Sequence, residues 1–539
     1  MKDKAKNQSN HWADINAAKI VREKGEKELY TCASGITPSG TVHIGNFREI
    51  ISVDLVVRAL NEMGKNTRFI YSWDDYDVFR KVPRNMPNQE ELKKYLRMPI
   101  TLTPDPYGEF ESYARRNEVE VEKLLPLVGI HPEYIYQAKR YRSSTYAEGI
   151  KKALESRERI RAILNEHRTT PLDENWWPIT VFCTSCNRDT TRVEAWDGEY
   201  GVTYSCESCG NRETVDLRET PAVKLFWRID WPMRWEYERV DFEPAGKDHH
   251  SEGGSFDTAK KIVREVYNYE PPVSFQYDFI GIKGRGGKLS SSTGEVVSLK
   301  DVLEVYQPEV VRYMFAGTRP NSEFVISFDL DVIKIYEDYD KCERIFFGLE
   351  NVSEKRREKE SRIYELSQIQ SIPETIPYQV PFRHLCNVAQ INEGNIENTI
   401  AFLKKQAEDE GKLESFKSSI ERIQTRAICA WNWVTTFAPE DFQFRLKLDE
   451  EKVTILGKKE LSAIREFTEA LEREFEKLNE KSLGELIYSI SNRMELQPRD
   501  FFKAMYLVLI GKDRGPRLAS FILNIGKEKV LHILKKYAE

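Results

Sequence analysis

A chain of 539 residues is too long for one compact core, so two or three domains are expected. With 40% hydrophobic and 31% charged residues the composition is globular and excludes a disordered chain. The net charge of −6 excludes a global attraction to nucleic acid, so any such partner must meet a local basic face.

One candidate for that face is residues 493–539, with ten Lys/Arg against five Asp/Glu. No apolar run reaches the roughly 18 residues of a membrane-spanning helix. The polar start has no secretory apolar segment. The expectation is a cytoplasmic protein without a membrane partner.

In chain order, Leu29-Tyr-Thr-Cys-Ala-Ser34 reads as a buried strand, ended by Gly35 and the turn residues Pro38 to Gly40. Helical spacing follows over 47–60, with Gly64 as the stop. Residues 67–72 read as a second strand, followed by the acidic cluster Trp73-Asp-Asp-Tyr-Asp77. A strand–helix–strand unit binds ligands in the loop after its first strand. Residues 84–215 break the alternation and read as an insertion. Segments 222–231, 273–282 and 295–299 resume strand-like patterns. After about 330 the chain turns to amphipathic helices such as 460–478, with 372–381 as a linker.

Residues 37–46 read Thr-Pro-Ser-Gly-Thr-Val-His-Ile-Gly-Asn. The spacing of Gly35, Gly40 and Gly45 is neither a dinucleotide fingerprint nor a P-loop. It is a small-residue loop carrying Pro38 and Gly40 into His43 and Asn46 at a helix entrance, where free N–H groups and the helix dipole suit a phosphate. His43 can donate to a phosphate oxygen whose charge grows during attack at phosphorus. Far downstream, residues 283–294 place four glycines, three cations and four hydroxyls in one loop, with Lys288, Ser290 and Ser291 at its centre. Such a loop can close over a triphosphate. Asp248, in Gly246-Lys-Asp248, is a candidate acceptor for ribose hydroxyls.

Cys183-Thr-Ser-Cys186 and Cys206-Glu-Ser-Cys209 are separated by nineteen residues, the spacing of a zinc ribbon. A four-cysteine site is closed, so its Zn²⁺ is expected to be structural.

The two loops resemble the HIGH and KMSKS signatures of class I aminoacyl-tRNA synthetases, except that Ser291 stands where the second motif normally carries a lysine. Lys283 or Arg285 is the expected substitute charge. The resemblance narrows to class I lysyl-tRNA synthetases through residues 10–14, 34–40, 43–49, 79–83, 174–178, 227–235 and 241–249. It implies an α/β fold: a Rossmann-type catalytic domain in two halves, 1–83 and 216–330, an 84–215 connective insertion with the zinc ribbon, and an all-helical anticodon-binding domain over 331–539. It implies ATP with Mg²⁺, L-lysine and tRNA(Lys) as partners, with His43, Asn46 and Lys288 as the catalytic groups. It also implies that Gly35, Thr37, Glu49, Trp227, His249 and Tyr277 line the lysine pocket.

The residues themselves allow that reading. A lysine needs a carboxylate for its ammonium and apolar walls for its stem. Glu49, one helical turn past Asn46, is the first choice for the carboxylate and Asp230 the second. Some relatives hold another zinc after an Asp-Pro-x-Gly stretch; Asp105-Pro-Tyr-Gly supplies no Cys or His, so that site is expected to be absent. A monomer is expected. A synthetase for another amino acid, such as glutamate, a small nucleotidylyltransferase, and a non-catalytic tRNA- or zinc-ribbon-mediated binding protein are the alternatives.

Overall fold

A computed structural model describes residues 10–83, 86–284, 296–448 and 456–538. The chain forms two compact units. The first comprises Met1–Val302, Pro308–Ile326 and Asn351–Ile372; the second comprises Leu303–Gln307, Ser327–Glu350 and Pro373–Glu539.

The first unit is built on a four-stranded parallel sheet. Its strands are β1 (Tyr30–Ile36), β2 (Thr67–Trp73), β3 (Glu133–Tyr136) and Val240–Phe242, in the spatial order β3, β2, β1, Val240–Phe242. β1 is central, so its near-continuous apolar run is that of a strand covered on both faces. Helix α1 (Trp12–Lys24) precedes β1, and α2 (Ile44–Glu62) connects β1 to β2. Thirteen residues of α2 are buried, as expected for a helix covered nearly all round. At the open end of the sheet β1 and β2 approach closely: a Cβ on Gly35 would lie 2.8 Å from the Ser72 carbonyl oxygen.

The insertion does not stand apart from this sheet. Its three-stranded antiparallel ribbon (Thr191–Trp196, Gly201–Cys206, Arg212–Asp216) leads back through Val223–Leu225, which pairs with Ile179–Val181. One continuous core runs from Ala33 and Ile70 on the sheet to Cys183, Tyr204, Trp231, Trp235 and Ile262. The segment expected as a strand over 222–231 is a strand only at Val223–Leu225. From Trp227 to Tyr237 it is a helix. Trp227, Trp231 and Trp235 recur at i, i+4 and i+8 and stack along one face, which outweighs the local polar–apolar alternation and the internal Pro232.

The second unit is helical among the described residues after Ser327. Its core packs Lys458–Glu474, Glu480–Arg493, Pro498–Ile510, Leu518–Ile525 and Lys527–Ala538. The expected linker 372–381 lies between helices Glu354–Ser367 and Phe382–Ile391 and contains the change from one unit to the other.

Two buried arginines of the first unit join distant segments. Arg312 donates to Asp54 at 2.7 Å and to the carbonyls of Leu366 and Val128. Arg48, on α2, donates to the carbonyls of Asp278, Phe279, Arg319 and Ser322 at 2.6–3.1 Å. Its planar fork supplies donors at fixed angles that an ammonium cannot reproduce. Replacing Arg48 by Met strands four carbonyls, and the expected loss is about 3 kcal/mol or more. Urea unfolding checks this value; a loss within 0.5 kcal/mol, the range usual for surface changes, would contradict the role.

Candidate active site

The site forms where β1 passes into α2. His43 is the extended N-cap of α2; the Asn46 side chain accepts from the His43 backbone N–H at 3.3 Å, and the His43 carbonyl accepts from the Asn46 N–H at 2.9 Å. The first turn of α2 is thereby closed on itself by its own cap. The loop before it is braced from the insertion, where Tyr113 donates to the Ser39 carbonyl and Asn117 to that of Pro38. Pro38 and Gly40 are buried there, and Gly45 is half-buried on the first turn.

The chain just after the second motif comes to the same place. Ile44 N–H donates to the Val297 carbonyl at 2.8 Å, and Ser298 bridges His43. Lys288, Ser290, Ser291 and Arg285 lie outside the described residues. The chain on both sides of them is placed, with Lys283 bonded through its backbone to Ile326.

Two adjoining cavities share Ser34, Gly35, Glu49, Asp74, Trp227 and His249 as a common wall. Thr37, Asn46 and Tyr277 line the one nearer α2. Trp231, Trp235, Arg234 and Glu243 line the deeper one. Glu49 is the centre of the arrangement: its carboxylate accepts from Ser34 Oγ at 2.8 Å, from Gly35 N–H at 3.2 Å and from the Tyr277 hydroxyl. Burial raises its pKa, and these three donors oppose that shift. Trp227 stacks on Trp231 with centroids 5.0 Å apart and planes 16° from parallel, giving a flat wall. His249 is oriented by Ser255 at 2.5 Å.

Several groups at the site carry no local motif. Asp74, from the acidic cluster after β2, lines both cavities and binds Arg234 at 2.5 Å. Glu243 accepts from the indole N–H groups of Trp231 and Trp235 at 3.1 and 2.6 Å. Its pKa is pushed up to about 7 by burial and by the nearby Glu49. The acidic run 74–77 was the one sequence signal for this lining. Asp230 lies elsewhere: it is buried, accepts from the Tyr141 hydroxyl, and pairs with Arg234 at 3.4 Å, outside the lining of either cavity. Asp248 is exposed on the short helix Lys247–His250, next to His249.

The four cysteines converge at the root of the ribbon. Cys183 and Cys209 Sγ are 3.6 Å apart, as are those of Cys186 and Cys206, and all four lie within 4.8 Å of one another. A disulfide would bring two sulfurs to about 2.05 Å, whereas a tetrahedron of 2.3 Å zinc–sulfur bonds separates them by about 3.8 Å. The two Cys-x₂-Cys turns are alike. Asn187 N–H donates to the Cys183 carbonyl and Gly210 N–H to that of Cys206, with φ of 60° and 75° at the residues that close them. The donor set and spacing fit a tetrahedral soft-metal site. At the Asp105 loop, by contrast, the carboxylate is taken up by Arg116 and by the N–H groups of Tyr107, Glu109 and Phe110.

Residues 10–370 match the family described as tRNA synthetases class I (K). The chain is 57% identical over 527 residues to a lysine–tRNA ligase of Borreliella burgdorferi, covering 98% of this chain and 99% of that one. It is 54% identical to the lysine–tRNA ligase of Treponema pallidum, with 98% of each covered, and 43% identical to that of Pyrococcus horikoshii, with 97% and 99% covered. The likeness therefore continues past residue 370 through the helical unit. A parallel sheet whose first crossover opens on a capped His43 helix, the return of the chain to that helix at Val297 and Ser298, and relatives matched from end to end agree: the chain belongs to the class I lysyl-tRNA synthetase family.

Proposed function

We propose that the protein activates L-lysine with ATP and transfers it to the 3′ end of tRNA(Lys). The observation that carries this reading is Glu49, a half-buried carboxylate beside Trp227 and Tyr277, one helical turn past Asn46 at the start of α2. The lining around it is acidic on balance: Asp74, Glu238 and Glu243 stand with Arg234, which is shared with Asp230, and Asp77 and Asp189 stand with Arg80 and Lys224. Such a pocket favours a cationic side chain and opposes glutamate. Trp227 and Tyr277 suit the four-carbon stem, Gly35 and Thr37 the α-amino group, and Glu49 the ε-ammonium.

In the first step the lysine carboxylate oxygen attacks the α-phosphorus of ATP. The bond to the β-phosphate oxygen breaks, giving lysyl-adenylate and pyrophosphate. His43, Asn46 and the α2 N–H groups stabilise the charge growing on the α-phosphate oxygens, and Lys288 serves the leaving pyrophosphate. Mg²⁺ accompanies the ATP and neutralises its phosphates. Asp248 is the ribose acceptor. In the second step a hydroxyl of the terminal tRNA ribose attacks the lysyl carbonyl and AMP leaves. No side-chain nucleophile is required.

Cys183, Cys186, Cys206 and Cys209 would hold one structural Zn²⁺, with no open position for chemistry. When bound, the ion cross-links the two turns at the base of the ribbon. Elemental analysis is expected to give about one zinc per chain; two per chain would overturn this reading. Stripping the metal with a chelator is expected to lower the melting temperature, since a closed site contributes directly to folding.

Pyrophosphate exchange at saturating tRNA, run across the twenty amino acids, is expected to respond to lysine. Exchange with glutamate, or with none, rejects the proposal. In the same assay Glu49→Gln is expected to raise KM for lysine by the equivalent of about 1.5–3 kcal/mol, the loss of one charged hydrogen bond. An unchanged KM would remove Glu49 from the ammonium site.

A further inference from the structure

Behind the substrate pocket, the tryptophan wall is held by a side chain that no step of the proposed reaction uses. Trp227, at the pocket mouth, is 39% exposed, and it lies flat on the buried Trp231. Trp231 also meets the His249 ring edge-on, with centroids 5.8 Å apart. The lining groups Trp227 and His249 therefore take their orientation from the plane of Trp231. Packing alone does not fix that plane. Phe256 meets Trp231 and Trp235 edge-on, but both indoles also border the deeper cavity, which encloses about 600 Å³ counting its mouth. The second torsion of a tryptophan is soft.

Glu243 supplies what packing leaves open. Its carboxylate oxygens take one indole each: Oε1 accepts from Trp231 at 3.1 Å and Oε2 from Trp235 at 2.6 Å. The carboxylate hangs from the sheet. It follows strand Val240–Phe242, which pairs with the central β1, and its own N–H donates to the Val273 carbonyl at 3.1 Å. The indoles come from a helix and their acceptor from the sheet. The contact thus sets the ring face of that helix against β1, which carries Ser34 and Gly35 to Glu49. An indole has a single donor and no acceptor, whereas a carboxylate has two acceptor oxygens and no donor. An amide of the same shape has one acceptor oxygen, so it leaves one buried N–H unmatched and its ring untethered.

We infer that Glu243 is a positioning residue for the amino-acid substrate: by accepting from both indoles it locks Trp231, and through Trp231 it holds Trp227 and His249 in the orientation that receives the lysine side chain. This rests on lysine as the substrate and adds what sets the shape of its pocket.

The test is lysine-dependent pyrophosphate exchange at saturating tRNA with full-length variants, each checked for a cooperative thermal unfolding transition. Glu243→Gln is expected to raise KM for lysine by roughly tenfold while kcat and KM for ATP stay within about twofold, because only the substrate wall is displaced. An unchanged KM for lysine overturns the inference. So does a change confined to kcat, or a joint rise of KM for lysine and for ATP. Trp235→Phe removes the second donor, so that a single acceptor suffices for Trp231. In that background Glu243→Gln is expected to change KM for lysine by no more than about twofold, the non-additivity of residues that share one hydrogen-bond network. An equal rise in both backgrounds makes the charge of Glu243, rather than its pair of acceptors, the cause, and overturns the inference. The double variant has matched donors and acceptors, so it keeps the test valid if Glu243→Gln alone does not fold: a rise of about tenfold from Trp235→Phe to the double variant again overturns it. Wild-type protein without lysine-dependent exchange rejects the proposed function and this inference with it, whereas failure in the variants alone leaves the proposed function standing.

Discussion

The geometry of the substrate pocket depends on the Arg48 guanidinium. Glu49 is the next residue on α2, and the hydroxyl it accepts from belongs to Tyr277, 228 positions later. Arg48 holds the chain at Asp278 and Phe279, immediately after Tyr277, and also at Arg319 and Ser322. One buried cation thus holds the second half of the sheet domain against the helix that begins at His43 and carries Glu49. Burial lowers its pKa to about 10, so it stays charged at neutral pH. Neutral carbonyls satisfy it, which leaves the nearby acidic groups available to the pocket.

That separation matters because the pocket is rich in acids. Glu49, Asp74 and Glu243 border one pair of cavities, and Asp230 lies just behind. Arg234 stands between Asp74 and Asp230. Burial opposes its charge, but the two carboxylates outweigh burial and hold the guanidinium protonated. The indoles of Trp231 and Trp235 bond Glu243 without adding charge. The residual negative potential is what a cationic substrate would relieve on binding.

Some of the site was legible because its signal is local. A helix N-cap with small residues before it, and a pair of Cys-x₂-Cys turns, each complete their geometry within a few residues, so spacing alone exposes them. The order β1, α2, β2 was equally plain, because a buried strand, a helical period and a second strand follow one another within 44 residues. The Trp227–Tyr237 helix was misread because its first residues alternate like a strand, while the tryptophan spacing that marks the helix needs nine residues to show. Glu243 gave no signal of its own beyond lying in the 241–249 stretch of the resemblance: a single carboxylate becomes part of a site only when two indoles and a cavity surround it.

The sequence by itself therefore determined which residues stand together: the His43 helix start, the four-cysteine cluster, and Glu49 two turns along α2. These rest on short-range periodicity and on the protein's own covalent spacing. Tertiary structure alone decided which acids face the cavity. Asp230 and Trp231 are adjacent in the chain, yet the helix turns Asp230 toward Tyr141 and Arg234 and turns Trp231 toward Glu243. Whether a carboxylate is a ligand group or a structural counter-ion depends on the charges that folding brings within reach of it, and those come from segments 160 residues away for Asp74 and Arg234 and 258 away for Asp54 and Arg312.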